Sequence, residues 1–383
     1  MRLKIINIIA TLGTFSSLAY YVVCIFSASK FLREQHSEKP SLTNPPISIL
    51  KPLKGIDPGM YESLRSHCLQ DYPEYEIVFG VSEASDPSVE YVERLKREFP
   101  DHHIRLVVCD KNLGTNTKVS NLVQMLPHSR YENLLVNDSD IRVDSSYLAE
   151  VAPILSDPKI GLVTCLYRGI AAKTPGSRLE SLGISTDFIP GVLAARLVEG
   201  GVHFGLGSTL AFRRQDLQAI GGFEALADYL ADDYEIGRRI ASLGLEIKLA
   251  ASVVETFLPS YSLREFFNHQ LRWARTVRES RPAGYVGLLV TFGFVWASLA
   301  VIFAKGASWA WILFVLTCFI RVAAAFLVGT KVLRDLQVLR WLPIIFVRDV
   351  IAVIVWIGSF AGNTIHWRGE RFRLKDGKLE RAA

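Results

Sequence analysis

Asn133-Leu134-Leu135-Val136-Asn137-Asp138-Ser139-Asp140 runs from a short apolar stretch straight into an amide and two carboxylates. An apolar run of this length, closed by turn-forming residues, predicts a buried strand over Asn133–Val136. The same punctuation recurs upstream. Ile47-Ser48-Ile49-Leu50 predicts a strand that stops at Lys51-Pro52, and Glu76–Val81 and Ile104–Val108 predict two more. Between them lie helical spacings over Tyr61–Leu69, Val89–Phe99 and Lys118–Met125. Downstream, Gly161–Leu166 and Gly207–Arg213 read as strands, and Gly221-Gly222-Phe223 as a turn. Residues 176–204 have mixed loop and helix character, and Ala231-Asp232-Asp233-Tyr234-Glu235 opens a helix running through Ile240. Strands alternating with helices imply an α/β fold, a mostly parallel sheet with helices on both faces. In such sheets ligands gather beyond the carboxyl ends of the strands.

Three of those ends are polar in a way that turn chemistry alone explains one at a time, but not together. Glu83-Ala84-Ser85-Asp86-Pro87 follows the second strand, Gly114-Thr115-Asn116-Thr117-Lys118 the third, and Asn137-Asp138-Ser139-Asp140 the fourth. Two carboxylates one residue apart at a strand end suit a hard divalent cation, Mg2+ or Mn2+, shared with substrate phosphates. Asp233, at a helix start, is the candidate general base, with Asp232 as its understudy. Lys118 and Arg272 are candidate contacts for a departing diphosphate, because fixed cations stabilise charge developing on a leaving group.

The rest of the 383-residue chain reads as membrane-associated. Half of the residues are hydrophobic and 21% are charged, too apolar for disorder and too charged for a bundle of spans alone. Ile5–Ser29 is an uncharged stretch of about 25 residues, enough to cross a bilayer core of ~30 Å and longer than a signal-peptide core. Tyr285–Phe303 and Ala307–Thr330 predict two more spans, the second interrupted by Arg321. Leu342–Ile365 contains Arg348-Asp349, which predicts a segment that dips into the membrane and returns. The expected layout is an anchor over 1–30, a linker over 31–46, a catalytic domain over 47–261, an interfacial helix over 262–282, membrane segments over 283–365 and a basic tail over 366–383.

Forty-three basic residues against 38 acidic ones leave a net charge of +5, and its placement matters more than its size. Lys30 and Arg33 follow the first apolar run and Arg368, Arg371, Arg373 and Lys375 follow the last, a pattern suited to anionic lipid headgroups. The same positive flanks predict that the domain over 47–261 is cytoplasmic. No basic stripe interleaves with aromatics, which argues against nucleic acid. Cys24, Cys68, Cys109, Cys165 and Cys318 are too scattered for a disulfide framework or a zinc site and predict buried thiols.

Five motifs stand in a telling order: Ile49-Leu50-Lys51-Pro52-Leu53-Lys54-Gly55, the Asp86 turn, Asn137-Asp138-Ser139-Asp140-Ile141-Arg142-Val143, Ala231-Asp232-Asp233-Tyr234 and Arg272-Trp273. Together, over about residues 47–280, they resemble the ceramide glucosyltransferase family, inverting transferases of GT-A fold, and within it a bacterial branch that includes hopanoid-biosynthesis-associated glycosyltransferases. The expected UDP-sugar contacts are Lys51, Pro52, Glu83, Asp86, Gly114, Asn116, Lys118, Asp138, Arg272 and Trp273. Of these the resemblance implies Asp86 on the nucleotide and Arg272 and Trp273 beside the diphosphate and acceptor, and its bacterial branch implies a bacterial inner membrane. It implies a cation held by Asp138 and Asp140, catalysis by Asp233, and a lipid acceptor met by Asp232, His269 and Gln270. The family usually has Gln or Arg three places before the Arg-Trp pair, where this chain has His269 with Gln270 beside it. Asp140 stands where the animal enzymes have glycine. A processive polysaccharide synthase would share these motifs but needs a spanning channel, for which two or three C-terminal segments are few. A non-catalytic adaptor that binds nucleotide or lipid would not need the full set of carboxylates.

Overall fold

The computed structural model describes residues 2–37, 43–367 and 370–381. Arg368 and part of the expected linker, residues 38–42, lie outside them. The chain forms two compact units, one of Lys39–Ala172, Gly201–Pro259 and Trp367–Ala383 and one of Met1–Glu38, Lys173–Gly200 and Ser260–His366. This differs from an uninterrupted domain over 47–261, because Lys173–Gly200 belongs with the apolar helices.

The first unit is built on eight strands: β1 (Ile47–Leu53), β2 (Tyr75–Val81), β3 (Ile104–Val108), β4 (Asn133–Val136), β5 (Ile141–Arg142), β6 (Ile160–Ile170), β7 (Leu210–Arg213) and β8 (Glu246–Phe257). They lie in the order β3-β2-β1-β4-β7-β6-β8-β5. β1 pairs in parallel with β2 and β4, as β2 does with β3 and β6 with β8, whereas β7 and β5 run antiparallel to their neighbours. The sheet is therefore mostly parallel, as expected, with strand ends converging where β4 stops. Ile47, Ile49, Leu50, Val78, Phe79, Leu134, Leu135, Val136, Leu162 and Phe212 are fully enclosed, which is why these strands read as unbroken apolar runs.

Three strands depart from their sequence reading for identifiable reasons. β1 does not stop at Lys51-Pro52 but continues through both to Leu53. The Ile47 amide donates to Glu74 on the β2 side, so the alternating position of Pro52 turns its missing N–H toward β4, whose pairing ends at Leu50. Proline costs nothing on an unpaired edge. The strand expected from Gly207 begins only at Leu210, because Thr209 N–H closes a turn onto the Leu206 carbonyl. β8 was not expected at all: Ala250-Ala251-Ser252 interrupts its apolar character, and there the register against β6 shifts.

The second unit is helical. Among the described residues three helices are long and apolar enough to cross a membrane: Leu3–Gln35, Pro175–Val198 and Ser308–Val332. The second was hidden in the mixed region 176–204, because a π-helical stretch, Ile184–Phe188, joins its two α-helical halves. The expected span Tyr285–Phe303 is broken, with Pro282–Thr291 and Gly293–Phe303 meeting at 54°. At that break the Tyr21 hydroxyl, from the N-terminal helix, donates to the Thr291 carbonyl (2.8 Å) and accepts from the Gly293 amide (3.2 Å). Broken backbone at membrane depth needs partners of this kind. Tyr21 and Cys24 also pack with Ala194 and Ala324, joining the N-terminal helix to two others.

The helix Ile345–Ser359 has 15 residues and buries both Arg348 and Asp349. Asp349 pairs with Arg321 (2.7 Å), which also binds Asp187 (2.5 Å). The charges that interrupt these segments thus face one another inside the protein. Four of the five cysteines are buried, Cys318 is half-buried, and all five are free.

Candidate active site

Asn137 fixes the turn after β4. Its side-chain amide donates to the Ser208 carbonyl (2.7 Å) and the Tyr147 hydroxyl (3.0 Å), while its oxygen lies 3.1 Å from His67 Nε2. Lys51 lies beneath the same turn, fully buried, with Nζ donating to the Asp138 carbonyl (3.0 Å) and 3.4 Å from His67. Burial lowers the Lys51 amine to about 7 against the pull of Asp140 and Asp138. Burial and the neighbouring Lys51 likewise push the His67 imidazole well below its ordinary value. Lys51 and Pro52 were expected to touch a nucleotide. Both are instead enclosed within β1, and Lys51 braces the Asp138 turn from behind.

Asp138 and Asp140 leave that turn into different surroundings. Asp138 is 43% exposed, and its Oδ1 receives Lys118 Nζ at 2.9 Å. Asp140 accepts the Thr256 hydroxyl from β8 (2.5 Å), and the intervening Ser139 donates to Asp57 (2.5 Å). Enclosure and the adjacent Asp138 charge push the Asp140 carboxyl up to about 6. A carboxylate so crowded by its own kind is relieved by a cation, and an all-oxygen pair matches a hard divalent ion. Among the described residues no group of three or more His, Cys, Asp or Glu side chains is arranged to hold a metal.

Across from this turn stands the helix Asp232–Ser242. Lys118 bridges to it, 3.0 Å from Asp232 Oδ2, so one ammonium joins the β4 turn to the helix start. Burial opposes the charge on Lys118, but Asp138, Asp232 and Asp233 outweigh it and hold the amine protonated, well above its ordinary value. Asp232 is buried and accepts Asn116 Nδ2 at 3.5 Å. It is a partner of Lys118, not the surface contact for an acceptor that was expected.

Asp233 is held by two backbone amides, Tyr234 N–H to Oδ1 and Gly207 N–H to Oδ2, each at 2.8 Å. Burial and the adjacent Asp232 push its carboxyl up to about 6 despite the pull of Lys118. A side chain on Gly207 would sit 3.1 Å from Asp233 Oδ2 and 3.3 Å from Asp138 Oδ2. The two carboxylates therefore flank one backbone position, and a residue without a side chain lets them approach. Asp57, His67, Thr256 and Gly207 escaped the sequence reading. Gly205-Leu206-Gly207-Ser208, two glycines bracketing one apolar residue, was the available signal for the last.

The remaining expected residues are placed as follows. Asn116 is buried, caps the helix Thr117–Met125 by accepting from Val119 N–H, and donates to the Tyr229 carbonyl (2.7 Å). It acts on the fold where a nucleotide contact was expected. Gly114 passes so near Ala227 that a Cβ would lie 2.5 Å from its carbonyl oxygen. Asp86 precedes the helix Ser88–Glu98 and accepts the Ser88 and Gly55 amides (2.9 Å each). Burial resists its ionisation, but the Ser88 hydroxyl and the Gly55 and Ser88 amides hold it below the usual carboxylate range. Glu83 is exposed beside it.

Arg272, Trp273, His269 and Gln270 belong to the helix Leu263–Ser280 of the other unit. There Gln270 donates to Glu180 (2.8 Å) and accepts from Arg348 (2.7 Å), and His269 Nδ1 lies 3.3 Å from Glu180. His269 stacks on Tyr261, and Trp273 meets Phe188 edge-on.

A curled, mostly parallel sheet whose β4 ends on Asp-Ser-Asp is the GT-A architecture of glycosyltransferases. The structure matches that of the mannosyltransferase PcManGT from Pyrobaculum calidifontis, solved with GDP-Man and Mn2+, over 94% of this chain and 99% of that one, with a TM-score of 0.56. At 19% identity this establishes the shared fold. The chain belongs to glycosyl transferase family 21, whose family model matches residues 9–380. It is 26% identical over 277 residues to Ceramide glucosyltransferase 3 of Caenorhabditis elegans, covering 72% of this chain and 60% of that relative. It is also 24% identical over 379 residues to Ceramide glucosyltransferase 1 of the same organism, covering 95% and 79%.

Proposed function

We propose that this chain transfers a single sugar from a UDP-sugar to the hydroxyl of a membrane lipid, inverting the anomeric centre to give a β-glycolipid. The observation that carries this is Asp233, pinned by two amides and kept weakly acidic, within reach of the same backbone position as Asp138. A fixed carboxylate with a raised pKa is a better proton acceptor than a free one. Asp233 takes the proton from the lipid hydroxyl as the oxygen attacks the anomeric carbon in line. Lys118 holds positive charge beside the departing diphosphate, and Arg272 and Trp273, matched by motif, serve the diphosphate and acceptor. Asp86, with Glu83 and the Gly114 loop, is assigned to the nucleotide. Asp138 and Asp140 would hold Mg2+ or Mn2+, which supplies charge neutralisation for the diphosphate. The Mn2+ complex of the mannosyltransferase that shares the fold supports that choice.

The curated relatives favour glucose and a ceramide-like acceptor; N-acetylglucosamine and a hopanoid polyol are the second pair. His269 and Gln270 are assigned to the acceptor side. The long apolar helices support a reaction at a bilayer, Lys30 and Arg33 after the first of them favour a cytoplasmic catalytic unit, and the family motifs favour a bacterial inner membrane.

The test is purified protein with a panel of UDP-sugars and a total lipid extract, read by mass spectrometry. One sugar per lipid is expected, and a sugar polymer would replace this reading with the synthase. Asp233→Asn should lower turnover by about a thousandfold while UDP-sugar still binds. Unchanged turnover would remove Asp233 from its role.

A further inference from the structure

Residues 370–381 were expected to be a basic tail for lipid headgroups, yet they form a hairpin in the catalytic unit. Glu370–Lys375 pairs antiparallel with Lys378–Arg381. Asp376 and Gly377 have φ of 51° and 76°, the two positive angles of the tight turn that Asp-Gly favours. Phe372, Leu374 and Leu379 are buried, so the hairpin is packed. Its tip pairs with the segment that leads into Asp232. Leu379 N–H donates to the Asp228 carbonyl (2.8 Å), and Leu230 N–H donates to the Gly377 carbonyl (3.2 Å). Between these bonds Lys378 Nζ lies 5.3 Å from the centre of the Tyr229 ring. The opposite side of the segment is held just as closely. Asn116 N–H donates to the Ala227 carbonyl (2.8 Å), Thr115 donates its amide and hydroxyl to Asp228 (2.9 and 3.0 Å), and Asn116 Nδ2 reaches the Tyr229 carbonyl.

Residues 227–230 are thus held between the loop that ends in Lys118 and the C-terminal hairpin, and Asp232 and Asp233 follow directly. A carboxylate at the start of a helix is only as well placed as the strand of chain entering it. We propose that the C-terminal hairpin is a clamp on residues 227–230 that positions Asp232 against Lys118 and Asp233 for proton transfer. Lys378 is its positioning residue. The inference rests on the transferase reading for its catalytic consequence, though not for the clamp itself.

The experiment compares the full chain with a variant lacking residues 370–383, measuring kcat, the KM for UDP-sugar and hydrogen exchange. Expected is a loss of kcat of about tenfold or more, since small misplacements of reacting groups are costly, with KM changed by less than about threefold. Amides of 227–233 should exchange faster while those of 137–141 keep wild-type rates. Lys378→Glu, a milder change, should lower kcat severalfold, and Lys378→Arg, which keeps a cation on the Tyr229 ring, should restore it. Wild-type kcat in the deletion and in Lys378→Glu overturns the proposal, as does exchange that quickens evenly across the whole unit. If the wild-type chain makes no glycoside, the transferase reading fails, and the exchange pattern alone decides for or against the clamp.

Discussion

Asp233 carries a pH dependence whose sign follows from its surroundings. Its carboxyl is raised to about 6 by burial and by Asp232, so the basic form empties as pH falls through that value. We expect kcat/KM to fall about tenfold per unit below pH 6 and to level off above it, and Asp233→Glu to move that limb. A pH profile flat from 5 to 7 would count against Asp233 as the base. Stability has the opposite slope. A carboxyl raised above its ordinary 3.8 binds its proton more tightly in the fold than in the unfolded chain. It therefore favours the fold most at low pH, and that contribution is lost as pH rises through about 6.

Much of this cluster was legible residue by residue. Asp138, Asp140 and Asp233 were named from the sequence as acidic residues at a strand end and a helix start, and Asp138 and Asp233 stand on either side of Gly207. Lys51, Asp232 and Asn116, which here brace neighbouring groups, show the difficulty: a polar residue near a strand end looks the same in sequence whether it faces a ligand or supports one that does. Only the buried amine on the Asp138 carbonyl separates the two.

Among the elements, those with a clean period were visible and those with an interruption were not. β4 and the helix Ser88–Glu98 were read closely, while β8 and the helix Pro175–Val198 were missed, one for its register shift and one for its π-helical joint. That joint carries Asp187, which binds Arg321 together with Asp349. The pairing accounts for arginines and aspartates in otherwise apolar helices, since a buried charge needs its opposite. Removing Asp349 leaves the buried Arg321 with Asp187 as its one remaining carboxylate among these contacts. Asp349→Asn should therefore destabilise the helical unit by on the order of 3 kcal/mol, seen as a lower unfolding temperature in detergent. An unchanged transition would mean the Arg321–Asp349 pair contributes little.

For the whole molecule, alternating strands and helices, long apolar runs and ordered motifs were enough for a GT-A domain with membrane helices. What they could not show is how the chain is shared out. Lys173–Gly200 leaves the sheet for the helical unit and the last residues return to it, connections that no local pattern encodes. Three long apolar helices predict that the full chain stays in the membrane pellet after an alkaline carbonate wash. The proposed cytoplasmic orientation predicts that protease added outside spheroplasts leaves residues 43–172 uncut. Release into the wash, or cleavage from outside, would contradict these expectations in turn.

Tyr21 also bears on how the chain can be re-engineered. Its hydroxyl closes the gap between Thr291 and Gly293, so the first helix completes the hydrogen bonding of a distant one. A swap of that leader for an arbitrary greasy sequence would keep the tether and strand two peptide groups in oil. Whoever trims the amino terminus to obtain a soluble enzyme takes away a part of the scaffold.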